Sequence, residues 1–251
     1  MEEGKYIYCV IKEGKSCSFG PLGIGGRGDE VYAICLNGIA AVVSNALIKN
    51  YSVSRENMLA HERAIETVMK EYAVLPVRFA TIAKDEDKIK KILEKEHGKF
   101  ENLLDEIKDK KELGVKAIFK QDLIYKEILE KYKDIKRLKE KIAVFPPEKT
   151  YPQRMEIGKM VEQALEEEKE IHKEEILNIL SPLADEIKIN DTYGEKMIIN
   201  AAFLVDKNKE AEFDRKVNML DEKYEHIIKF KYVGTLPPFN FVNLAIETGN
   251  Y

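Results

Sequence analysis

Two apolar stretches of this chain carry proline where a regular strand would exclude it: Leu75-Pro76-Val77-Arg78-Phe79-Ala80-Thr81 and Gly234-Thr235-Leu236-Pro237-Pro238-Phe239-Asn240-Phe241-Val242. Proline brings no backbone N–H to a ladder and pushes the residue before it toward extended geometry. Each stretch therefore belongs at a sheet edge, a strand start or a bend. In the second stretch the paired prolines hold the backbone extended and leave Phe239 and Phe241 to anchor it by burial, either along a second sheet or back on the first domain.

Around these stretches the sequence reads as alternating strands and helices. Lys5 to Ile11 is rich in β-branched and aromatic residues and predicts a first strand. The apolar runs 31–36 and 39–43 flank Asn37-Gly38, a pair that readily takes the positive φ angles of a type I′ turn, so they form a hairpin. From Ser54, a plausible N-cap, the apolar positions Met58, Ile65, Val68, Met69 and Tyr72 recur at helical spacing. A strand from Val74 to Ile82, a helix over about 85–107 and a strand from Val115 to Phe119 complete this part. The result is an α+β domain over residues 1–120: an antiparallel, ferredoxin-like sheet with helices gathered on one face.

A second, smaller α+β domain is expected over 121–251, with long helices. One helix carries Ile124, Ile128, Ile135, Leu138 and Ile142 and must end at Pro146-Pro147; a longer one runs from Pro152 to Leu180, its apolar seam interrupted by Glu168 and Glu175. Strands around Ile187–Ile189 and Met197–Val205, a helix bearing Phe213, Val217, Leu220 and Tyr224, and the alternating strand Ile228 to Tyr232 follow.

Composition narrows the function classes. Charged residues make up 34% of the 251, yet the net charge is only −4, which argues against nucleic acid as the main partner. No apolar run approaches the roughly 18 residues that span a bilayer, and the acidic start Met1-Glu2-Glu3 does not resemble a signal peptide, so a cytoplasmic protein without a lipid-membrane partner is expected. Cys9, Cys17 and Cys35 form no CxxC pair and are expected as reduced thiols.

The motifs that suggest chemistry dissolve in context. Gly23-Ile24-Gly25-Gly26-Arg27-Gly28 fits GxGxxG, but no strand ends immediately before it and no helix starts after it, so it reads as a flexible loop. His61, His97, His172 and His226 lack metal-ligand spacing and read mostly as solvated residues; neither metal nor cofactor is expected. His61 with Arg78 could form an acid–base pair, but ion pairing on a helix face is the plainer reading. The Lys/Glu-rich segment from Lys84 to Lys141 reads as solvated helix faces, with a coiled-coil partner surface as the sharper alternative.

Lys5-Tyr6-Ile7-Tyr8-Cys9-Val10, the Leu75–Thr81 stretch, Glu112-Leu113-Gly114-Val115-Lys116 and Leu236-Pro237-Pro238-Phe239-Asn240-Phe241-Val242 occur in an order that resembles the GvpL/GvpF family of gas vesicle accessory proteins. The chain departs from the family at Thr235-Leu236, where an aromatic residue is common. The resemblance implies two α+β domains, no enzymatic activity, a place at the gas vesicle, and contact with the hydrophobic shell protein and other accessory proteins. The expected partner-binding residues are Pro76, Arg78, Phe79, Pro237, Pro238, Phe239 and Phe241. A small-molecule-binding regulatory module, and an enzyme using Arg78 and His61, are the readings from other classes.

Overall fold

The computed structural model describes residues 2–242, 244 and 246. It is an α+β protein with two sheets and, among the described residues, seven α-helices. The chain divides into two compact units: Met1–Glu112 together with the segment from Thr235 onward, and Leu113–Gly234. This division departs from the expected boundary at 120. The C-terminal stretch returns to the first unit, and the strand around Val115 belongs to the second.

In the first unit the strands are β1 (Glu3–Ile11), β2 (Ser18–Gly20), β3 (Val31–Leu36), β4 (Ile39–Leu47), β5 (Val74–Pro76) and β6 (Ile82–Ala83). They run in the order β2-β3-β4-β1-β5, with β6 also pairing with β1. The β3–β4 hairpin closes on Asn37 and Gly38, whose φ angles of 52° and 88° are those the Asn-Gly pair allows at low cost. Helix α1 (Arg55–Met69) starts at Ser54, whose side chain accepts the Asn57 N–H. The expected helix over 85–107 is two helices, α2 (Glu86–Lys95), capped by Asp85, and α3 (His97–Ile107).

Both faces of this sheet are covered. Ala64, Ile65 and Val68 of α1 pack with Tyr6, Ile11 and Val42 on one side, whereas Ile89, Leu93, Phe100 and Leu104 of α2 and α3 pack with Ile7, Val10 and Val43 on the other. Helices thus flank the sheet rather than gather on one face. A bulge in β1 makes the pattern possible. The pairing with β4 steps from Ile7↔Val43 to Cys9↔Val42, so Tyr8 is an extra residue that joins Tyr6 and Cys9 in the α1-side core.

The glycine-rich segment is pinned rather than free. Ile24 is fully buried and its N–H donates to the Tyr8 hydroxyl at 2.8 Å, while Gly25, Gly26 and Gly28 supply positive φ angles for the turns.

The second unit holds α4 (Gln121–Lys131), α5 (Lys133–Ala143), α6 (Tyr151–Leu180), β8 (Ala184–Ile189), β9 (Met197–Asp206), α7 (Glu210–Tyr224) and all but the outer ends of β7 (Lys110–Phe119) and β10 (Ile228–Leu236), with sheet order β10-β7-β9-β8. Leu113, Val115, Ala117 and Phe119 of β7 enter the same core as Phe203, Phe213 and Leu220, which is why β7 belongs here. The glutamate that interrupts the α6 seam, Glu168, is 3% exposed and satisfied. It accepts from Lys131 Nζ at 2.6 Å and from the Tyr132 hydroxyl at 2.9 Å. No helix among the described residues is long and apolar enough to cross a membrane.

Candidate functional site

The first proline stretch leaves the sheet by a route its sequence explains. Pro76 pairs with Cys9 at the end of β5, an edge strand, where its missing N–H costs no ladder bond. Val77 still donates to the Tyr8 carbonyl at 2.9 Å, and Ile7 donates to the Thr81 carbonyl at 2.9 Å. Between these bonds residues 78–80 loop out from β1. Ala80, at a φ of 65°, is held by its N–H to the Tyr6 hydroxyl at 2.9 Å. The excursion leaves Arg78 exposed and Phe79 half-buried against Tyr6 and His61.

The second stretch comes to the same edge. Pro237 and Pro238 are buried, and the backbone turns so that Val242 N–H reaches the Pro238 carbonyl at 2.8 Å. Asn240 is clamped by the buried Glu112 carboxylate, which accepts its backbone N–H at 2.9 Å and its side-chain amide at 2.6 Å. Burial raises the Glu112 pKa, and the two Asn240 bonds oppose the shift. Val242 and Leu244 then enter the core that α2 and α3 cover, and Leu244 forms a parallel bridge with Val77.

These segments and α1 enclose a groove of about 380 Å³. Pro76, Val77, Val242 and Leu244 supply apolar backing; Met58, His61 and Glu62 come from α1; Arg78, Phe79 and Phe239 complete the lining. Phe239 is 43% exposed and Met58 is also exposed, so apolar surface faces outward here. Of the residues singled out in the sequence, Pro76, Arg78, Phe79 and Phe239 come together. Pro237, Pro238 and Phe241 do not line the groove: the prolines are buried and Phe241 is half-buried, so the anchors of the tail are Val242 and Leu244 rather than the two phenylalanines.

His61 overturns the reading of the histidines as solvated. It is 2% exposed, stacked on Tyr8 and set edge-on to Tyr6 and Phe79, with Nδ1 3.0 Å from the Tyr6 hydroxyl. Burial lowers its pKa to about 4, and the Val77 backbone opposes the shift. His172 of the second unit is also buried. His61 binds a phenol rather than a carboxylate or a nucleophile, an arrangement suited to holding a shape rather than to relaying protons. Among the described residues no group of three or more His, Cys, Asp and Glu side chains could hold a metal ion.

The second unit has its own groove, of about 570 Å³, lined by residues such as Tyr125, Ile142, Ile157 and Val161. It contains none of the expected partner-binding residues.

Residues 4–243 match the model of the family described as gas vesicle synthesis protein GvpL/GvpF. The gas vesicle protein F of Dolichospermum flosaquae is 28% identical over 80% of this chain and 82% of its own length. That of a Nostoc species is 24% identical over 98% of this chain and all of its own. The crystal structure of GvpF from an Anabaena species superposes with a TM-score of 0.81 at 24% identity, covering 97% of this chain and all of that one. At that identity the structural likeness is one of fold.

Proposed function

Given that the chain belongs to the GvpL/GvpF family of gas vesicle synthesis proteins and so has a role in gas vesicle formation, we propose that it is a non-enzymatic accessory protein that binds the hydrophobic shell protein during nucleation or assembly. A compartment that holds gas and excludes water needs a wall that is apolar on its inner side. Subunits of such a wall carry apolar surface that aggregates when left free in water. A chaperoning partner must cover that surface while not polymerising itself.

The observation that carries this reading is the apolar groove at the β5 edge. It offers Phe79, Phe239 and Met58 to a partner. The sheet edge beneath it is blunted by Pro76 and by the Leu244 bridge, so docking there does not extend into open-ended strand addition. Arg78 and Glu62 at the same groove supply charges that orient what docks. The action takes place in the cytoplasm and at the growing vesicle, with other accessory proteins as further partners and no cofactor.

The test is a deletion strain combined with co-purification. Without this chain vesicles are absent or misshapen by electron microscopy, and the tagged chain retains the shell protein through washing. Normal vesicles in the deletion strain defeat the proposal.

A further inference from the structure

The first turns of α6 are under-packed. The helix runs from Tyr151 to Leu180, yet its first buried side chain is Ala164. Before it, Ile157, Met160 and Val161 are half-buried, while Tyr151 and Met155 are 67% and 52% exposed. A helix in water is held mainly by the burial of one face, and here about three and a half turns lack a fully covered one. Gly158 sharpens the point. It shares a face with Arg154 and Val161, at spacings of four and three, and both of those line the groove of the second unit. Glycine inside a helix costs stability relative to alanine. Beyond its own turn of helix nothing stands within 4 Å of the place a Cβ would take, so the free protein has no steric need of glycine there. A body that approaches the backbone closely does need one.

The groove says what that body is. Its lining residues are all helical, drawn from α4, α5 and α6. An extended segment buried among helices would leave its backbone N–H and C=O groups unpaired, whereas a helix brings its own backbone bonds. The lining is apolar or aromatic except for Lys139 and Arg154, both exposed. Arg154 gives its Nε–H to Thr150 Oγ1 at 3.1 Å, and among the described residues neither cation pairs with a carboxylate. The surroundings are basic as well. Residues 133–159 carry eight Lys and Arg against four Asp and Glu, an excess of four positive charges in a chain of net charge −4.

We propose that this groove is a second interaction site, which takes an acidic amphipathic α-helix of a protein partner. The partner's apolar stripe lies over Gly158, Ile157 and Val161, and its flanking carboxylates meet Lys139 and Arg154. Docked there, it is the fourth helix of a bundle with α4, α5 and α6, and it covers the face that the first turns of α6 leave open. The glycine lets the two helix backbones come close. This site is independent of the proposed shell-protein groove at the β5 edge and stands if that reading fails.

The experiment uses the full chain and two fluorescent helical peptides of about 18 residues, one with a leucine stripe flanked by glutamates and a twin with lysines in their place. Fluorescence anisotropy is expected to show saturable binding of the acidic peptide, at least about tenfold tighter than that of its twin and weakening as salt is raised. Gly158→Leu fills the recess and is expected to weaken that binding at least about tenfold while the melting temperature holds or rises, since leucine favours a helix and its Cβ meets no neighbour. Lys139→Glu combined with Arg154→Glu is expected to reverse the preference between the twins, and it decides the matter if Gly158→Leu does not fold. Failure of wild type to bind the acidic peptide, equal binding of the twins, undiminished binding by Gly158→Leu, or a preference unchanged by the charge reversal overturns the proposal. Sedimentation velocity of the chain alone and flotation with phosphatidylglycerol vesicles look for other occupants. Self-association or vesicle binding that Gly158→Leu removes, in place of peptide binding, overturns it as well.

Discussion

A buried histidine makes this protein acid-sensitive in a defined window. The His61 pKa falls from the ordinary 6.5 to about 4 on folding, so between those values the unfolded chain binds the proton that the folded chain refuses. Stability from this group is complete above about pH 6.5 and is lost as pH falls toward 4, by about 3 kcal/mol in all. His172, also lowered by burial, acts in the same direction. The melting temperature of wild type is expected to drop steeply from pH 6.5 to 4, and that of His61→Leu to drop less; parallel curves would show that His61 is not buried as described. Gly38 presents a simpler case. Its φ of 88° penalises any β-branched side chain, while nothing stands within 4 Å of the position a Cβ would take, so Gly38→Val tests backbone strain free of steric clash. A loss of about 1 kcal/mol in denaturant unfolding is expected, and an unchanged midpoint would contradict the turn. The turn was legible in the sequence because the whole of its signal lies in two adjacent residues. The burial of His61 was missed although its spacing of four from Ile65 and seven from Val68 puts it on the buried arc of α1, because a histidine among charged neighbours reads as polar surface.

Among the elements, the tail shows what local pattern conveys and what it omits. Paired prolines announce an extended segment, and the return to the first unit was one of two routes the sequence left open. The choice of anchors needed the tertiary structure, because Phe239 and Phe241 are the largest side chains of the segment yet Val242 and Leu244 are the ones that meet the α2–α3 core. Leu244→Ala is accordingly expected to cost about 2–4 kcal/mol and Phe241→Ala about 1 kcal/mol or less. Equal losses in thermal unfolding would contradict this order. Glu112 explains the rest of the clamp: Glu112→Ala removes both bonds to Asn240 and is expected to release the tail, read as faster amide exchange at Asn240, Val242 and Leu244. The groove was half legible for the same reason. Pro76, Arg78, Phe79 and Phe239 stood out as residues out of place in a plain strand, whereas Met58 and Glu62 carry no signal beyond helical periodicity. Met58 even read as a core position, and it is exposed.

At the scale of the whole molecule, the second unit is an insertion in the first: the chain leaves it after Glu112 and re-enters at Thr235. A boundary drawn from sequence at 120 misses this, because the membership of β7 is decided by its partners β9 and β10, far along the chain. A fragment of residues 1–120 lacks Val242 and Leu244 and leaves Leu113, Val115 and Phe119 without their core, so it is expected to aggregate or to lose fixed tertiary structure by near-ultraviolet circular dichroism. A soluble, cooperatively melting fragment would contradict that. The insertion also means that the groove draws on residues from both ends of the sequence, α1 and β5 from one and the tail from the other. The most direct measurement of the central claim is photocrosslinking in cells that are building vesicles, with a benzophenone side chain placed at the exposed Phe239 of the groove and, for comparison, at the exposed Tyr193 of the second unit. The account predicts a crosslink between position 239 and the shell protein that is absent or much weaker from position 193. Shell protein captured from 193 and not from 239 would contradict it.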